Sequence, residues 1–164
     1  MDELTDRIAG FLRDIGIPVH ECEVGDGAFL PGVRVVGGRI EFERARLRWP
    51  GDLLHEAGHI AVTPAAQRHL LPALLDGRDI HAPGGEVEAT AWAWAALVAL
   101  GLPADVLFHE GGYHGRSGPL AMTYGLGVYP GAAGLAAAGL ARLGNEAAAA
   151  GVAPYPHMIR WLRP

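Results

Sequence analysis

The sequence predicts a mixed fold of α-helices and a few short β-strands, in one domain spanning residues 1–164. Three observations predict it. Apolar residues recur at helical spacing near the N-terminus, VRVV and RIEFE flank a Gly-Gly pair, and two further apolar stretches carry helix start and stop signals. At 164 residues the chain has the length of one ordinary domain. Half of its residues are hydrophobic and 19% are charged, which excludes a disordered chain.

The elements follow in order. Leu4, Ile8, Phe11, Leu12 and Ile15 form one helical stripe, and Gly16 follows as a stop signal. IPVHECEV (17–24) reads as a strand. VRVV (33–36) and RIEFE (39–43) form a hairpin across Gly37-Gly38, because a two-residue connection needs the positive φ that glycine adopts freely. Arg44, Arg46 and Arg48 alternate with a period of two, which puts them on one face of a strand, read as a solvated edge and not as a partner-binding stripe.

Asp52 is the expected N-cap of a helix running to Thr63, where Pro64 ends it. Residues 63–85 are irregular. A second long helix opens after Gly84-Gly85 with Glu86 in its first turn, and ends at Gly101 with Pro103 just beyond. A short helix over Pro103–Glu110, a glycine-rich loop GGYHGRSG, a small-residue helix over 131–143 and the segment PYPHMIRWLRP complete the chain.

A net charge of −5 argues against a nucleic-acid partner. The single cysteine, Cys22, excludes an intramolecular disulfide, and His20-x-Cys22 offers too few donors for a site. No signal-peptide pattern or membrane-spanning run stands out, so a cytoplasmic protein with no membrane partner is expected.

GDLLHEAGHIAV (51–62) carries the chemistry. His55 and His59 lie four apart, so on a helix they share a face and can present both imidazoles to one metal ion. Glu56 is rotated about 100° from His55, within reach of a metal-held water but out of the ligand plane. Leu53, Leu54, Ala57, Ile60 and Val62 surround this polar triplet, so the helix is buried and its polar groups need partners. A catalytic zinc takes three protein ligands. Ala65 occupies the position where one known arrangement places its third ligand, a histidine, so a glutamate from the next helix is the alternative. Glu86 and Glu88 both qualify. Glu86 shares its face with Ala89, Thr90 and Ala93, which allow close approach to Gly58, whereas Glu88 shares its face with Trp92, so packing favours Glu86. His69, His81, His109 and His114 remain further candidates.

HEAGH followed by E-V-E-A-T-A-W-A resembles the ImmA/IrrE family of zinc metallopeptidases, bacterial gluzincins whose H-E-x-x-H precedes a helix of the form E-x-x-A-(N/D)-x-F-A. Glu86, Ala89 and Ala93 match, whereas Thr90 and Trp92 depart from the pattern. The resemblance spans roughly residues 30–103. It implies Zn2+ as cofactor, His55, His59 and Glu86 as its ligands, and Glu56 as general base. It also implies an α+β zincin-like fold, with a small twisted sheet packed on the active-site helix and the glutamate-bearing helix. The implied activity is hydrolysis of a protein or peptide substrate, a helix-turn-helix repressor among the candidates. Thr90 cannot accept a charge-assisted hydrogen bond as a carboxylate would, so it gives a ligating histidine weaker outer support.

RIEFE is the expected edge strand for an extended peptide. His109, Tyr113 and His114 are candidates to stabilise the oxyanion formed on attack. Trp92 and Trp94 read as core and interface aromatics. Two other readings compete with the peptidase: a metal-binding regulatory module with little turnover, and a metal-free domain in which the motif is accidental.

Overall fold

The computed structural model describes residues 1–164 as seven helices and a three-stranded sheet. Helix α1 (Asp2–Asp14) buries Ile8, Ala9 and Leu12 and stops at Gly16, whose φ of +97° turns the chain back. Strands β1 (Val19–Glu21), β2 (Val33–Val36) and β3 (Arg39–Phe42) form one sheet in the order β1-β3-β2. Gly37 and Gly38 both have positive φ, +56° and +84°, and close the β2–β3 hairpin between Val36 and Arg39. The first strand is shorter than IPVHECEV predicts, because only three of its residues pair, in parallel, with β3.

That pairing overturns the edge expectation for RIEFE: β3 is the central strand, held by β1 on one side and β2 on the other. Ile40 and Phe42 face the core, fully buried. Glu41 is tolerated at a central position because two arginines neutralise it. Arg34, directly opposite on β2, donates from Nε and Nη2 to Oε2 at 2.9 and 2.7 Å. Arg39 donates to Oε1 at 3.0 and 2.8 Å. Each guanidinium converges two charge-assisted N–H bonds on one carboxylate oxygen, so both oxygens of Glu41 are satisfied.

The arginine triplet lies in a turn and not on a strand face. Arg44 bonds Asp6 at 2.7 Å and Glu21 at 2.8 Å, Arg46 bonds Glu43 and Asp26, and Arg48 lies over the Trp49 ring. A period of two carries no information once the chain has left the sheet.

Helix α2 (Asp52–Ala61) packs on β2 and β3 with one side and on α3 (Glu86–Ala99) with the other. Its N-cap is Gly51, not Asp52, which is the first helical residue. A Cβ at Gly51 would lie 1.8 Å from the Val106 carbonyl oxygen, so only glycine fits where the chain passes α4 (Ala104–Leu107). The helix ends at Ala61, two residues before the predicted end. Two 3-10 turns, Ala65–Leu70 and Ala73–Leu75, fill the irregular stretch before α3.

Beyond α4 lie α5 (Ser117–Gly125), α6 (Ala132–Ala137) and α7 (Gly144–Ala150). Of the predicted helix over 131–143 only the first half forms; Ala141 instead makes a β-bridge with Met158. Helices α5 and α7 escaped the sequence reading because glycine and alanine dilute their apolar periodicity. The C-terminal segment closes the core: Trp161 packs edge-on against Phe11 and Trp92 and accepts a hydrogen bond from Trp92 Nε1 at 2.8 Å. Trp94 stacks on Phe108 within the chain. No helix is long and apolar enough to cross a membrane.

Candidate metal centre

Helices α2 and α3 cross at Gly58 and Ala89, and this crossing builds the site. A Cβ on Gly58 would fall 2.4 Å from the Ala89 carbonyl oxygen, so the two backbones touch. Glu86, one helical turn before Ala89, is thereby carried to His59, the neighbour of Gly58. Its Oε2 lies 3.0 Å from His59 Nε2 and its Oε1 lies 3.7 Å from His55 Nε2. The two Nε2 atoms are 3.3 Å apart. Bonds of about 2.0–2.1 Å in a tetrahedral zinc site give ligand–ligand edges of about 3.3 Å, so the spacing fits one small ion. His55, His59 and Glu86 form a group close enough to hold a metal.

Exposure graduates across the group. His59 is buried, while the Glu86 side chain keeps 35% of its surface in solvent, so one side of the cluster opens outward. A donor group buried at His59 and partly exposed at Glu86 suits a metal that must also meet a substrate.

Electrostatics describe the same cluster. Burial and the neighbouring His59 pull the His55 pKa down to about 4. Burial also opposes charge on Glu86 and His59, but their mutual hydrogen bond prevails: Glu86 falls to about 2 and His59 rises. A carboxylate held ionised beside two imidazole nitrogens is a donor set that suits a cation. Glu56, next to His55 on α2, is pushed up to about 7 by burial. It has no hydrogen-bond partner in the chain to resist that rise, and a carboxylate poised near neutrality is suited to proton transfer.

Glu88 points away from the cluster. Its Oε2 accepts the Gly84 N–H at 2.7 Å and faces Arg163 Nη1 at 3.5 Å. The carboxylate fills the space beside Gly134, where a Cβ would lie 2.1 Å from Oε1. It ties the start of α3 to Gly84, just before the helix, and to Arg163 of the C-terminal segment.

The loop after α4 separates the three oxyanion candidates. His109 is buried; its Nε2 lies 2.8 Å from Asp52 Oδ1 and its ring stacks on Trp49, so it is closed to a substrate. Tyr113 reaches His55, its hydroxyl 3.2 Å from Nδ1. His114 is exposed and close enough for its charge to favour the ionised form of Glu86. The sequence held no sign of the Asp52–His109 pair, because its partners lie 57 residues apart and belong to no recurrent spacing. Nor did it point to Phe29, 86% exposed beside the His114 ring. His69 and His81 lie outside the metal group.

Thr90 spends its hydroxyl on the Glu86 carbonyl oxygen at 2.9 Å. His59 Nδ1 is buried with no partner. Against known proteins, the chain matches no family model, no curated protein and no solved structure. The likeness to the ImmA/IrrE peptidases thus rests on the motif residues alone.

Proposed function

We propose that the protein is a zinc-dependent endopeptidase of the kind its motif resembles, with His55, His59 and Glu86 as ligands and Glu56 as general base. The observation that carries this reading is a three-donor cluster of tetrahedral spacing, open on one side, with an unpaired carboxylate beside it. A zinc ion bound there would polarise the scissile carbonyl and lower the pKa of a bound water to about 7. Glu56 takes the proton from the attacking water and delivers it to the leaving amine. His114, the exposed histidine of the loop, meets the oxyanion. With β3 at the sheet centre, β2 becomes the strand whose free edge, next to α2, receives an extended peptide.

The substrate class follows from the resemblance: a protein, with a helix-turn-helix repressor first among the candidates. Such a substrate places the reaction in the cytoplasm, with neither nucleic acid nor membrane as direct partner. A metal-binding regulatory module with little turnover is the second reading. The unpartnered Nδ1 of His59 favours it, since a ligating histidine without an outer hydrogen bond is less firmly oriented. The deciding experiment incubates the purified, zinc-loaded protein with helix-turn-helix repressors and with unfolded protein substrates. Cleavage that a chelator abolishes and added zinc restores supports the peptidase. Zinc binding without cleavage of any substrate supports the module, and absence of zinc binding removes both.

A further inference from the structure

The loop following α4 touches α2 at two points one turn apart. His109 bonds Asp52 at the start of α2, and four residues later the Tyr113 hydroxyl lies 3.2 Å from His55 Nδ1. The Tyr113 ring meets His55 edge-on, with centroids 5.1 Å apart and planes at 89°. Between these contacts the chain is held tightly. A Cβ at Gly111 would strike the Trp49 ring at 2.0 Å, and one at Gly112 would press on the His109 ring at 3.1 Å. Ser117 Oγ donates to the Gly112 carbonyl oxygen at 3.3 Å, and Phe108 packs against the Tyr113 ring at 5.2 Å. Tyr113 and His114 have φ of +54° and +53°, a conformation that non-glycine residues keep only where their surroundings enforce it. The loop is built to put the Tyr113 hydroxyl where it is.

We propose that Tyr113 is a positioning residue for the metal centre: its phenol oxygen accepts the Nδ1–H of His55, leaving Nε2 free to face His59 and Glu86. The inference rests on the metal reading of that cluster. The hydrogen positions follow from the geometry. His59 Nε2 lies 3.0 Å from Glu86 Oε2 and donates to it. With His59 Nε2 carrying that proton it cannot accept from His55 Nε2 at 3.3 Å, and Glu86 Oε1, at 3.7 Å, lies beyond hydrogen-bond distance, so the His55 proton is assigned to Nδ1. Only one acceptor, the Tyr113 oxygen, stands there. A histidine that ligates through one nitrogen is oriented by the bond its other nitrogen donates. His59 lacks that bond, so His55 carries the orientation of the pair. A hydroxyl engaged with His55 Nδ1 orients that imidazole, and His114 is the exposed histidine of the same loop.

Tyr113→Phe removes one oxygen and keeps the ring packing. Long-range 15N–1H spectra of the zinc-free protein, taken about one pH unit above the ordinary histidine pKa of about 6.5, read the His55 tautomer directly. The wild type is expected to show a single Nδ1–H form and Tyr113→Phe a mixture. Chelator competition should show zinc affinity falling roughly 10–100-fold in the variant, with unchanged circular dichroism. An Nε2–H tautomer of His55 in the zinc-free wild type overturns the proposal even if the variant does not fold. So does a folded variant with wild-type tautomer or wild-type affinity. If the wild type takes up no zinc, the metal reading fails, while the tautomer spectra still decide the role of Tyr113.

Discussion

Gly58 on α2 and Ala89 on α3 are in backbone contact, and this contact sets the position of Glu86 relative to His55 and His59. Gly58→Ala places a methyl group 2.4 Å from a carbonyl oxygen. The helices must part, at a cost of about 1–3 kcal/mol for overpacking. Guanidinium unfolding should read that loss, and zinc titration should read a weaker site as Glu86 retreats. Wild-type affinity in a destabilised Gly58→Ala protein would show that the crossing does not position the ligand.

The two glutamates of α3 have separable roles. Glu86→Ala leaves two histidines facing the site, so zinc occupancy should collapse while the apo protein stays folded. Glu88→Ala strands the Gly84 N–H and removes the partner of Arg163, so it should cost about 1–3 kcal/mol and leave zinc near one per chain. Metal analysis and thermal unfolding of both variants decide between them.

Glu56→Gln preserves side-chain volume and removes the proton acceptor. Zinc content and unfolding temperature should match the wild type, and any hydrolysis should slow by roughly 10²–10⁴. Equal turnover in the two proteins would rule Glu56 out as the base.

Asp52→Ala leaves both ring nitrogens of the buried His109 without a partner, since Nδ1 already has none. The expected cost is about 1–3 kcal/mol, seen as a lower denaturant midpoint with an unchanged slope. An Asp52→Asn protein, which can still accept from His109 Nε2, should recover most of it.

Glu41 carries a predicted acid sensitivity. The Arg34 and Arg39 hydrogen bonds hold its pKa below the ordinary 4.5, against a smaller opposing effect of burial. A carboxylate with a depressed folded pKa contributes stability that is present above the unfolded value and lost as pH falls through the folded one. Stability measured from pH 6 downward should therefore fall below about pH 4.5. In Glu41→Gln this part of the decline should be absent, and the variant should be less stable than the wild type at neutral pH.

Short-range spacing was legible in the sequence. Three-and-four periodicity put His55 and His59 on one face of α2 and defined α1, and the Gly37-Gly38 pair defined the hairpin, because each depends on dihedrals within a few residues. The choice of Glu86 was half legible: small residues at Gly58 and Ala89 permit a close crossing. Only the packed molecule shows Glu88 committed elsewhere, to Gly84 and to Arg163, 75 residues away.

The remainder was decided by tertiary structure alone. RIEFE reads the same as an edge or a central strand until β1 pairs with it, since alternation records which face is buried and not how many neighbours a strand has. Asp52 reads as an N-cap until His109, buried beneath Trp49, takes its carboxylate. Tyr113 reads as one residue of a glycine-rich loop until that loop is clipped to α2 and its hydroxyl meets His55. Each of these contacts joins residues far apart in the chain. Local spacing cannot encode them, because their partners are selected by which surfaces the core brings together.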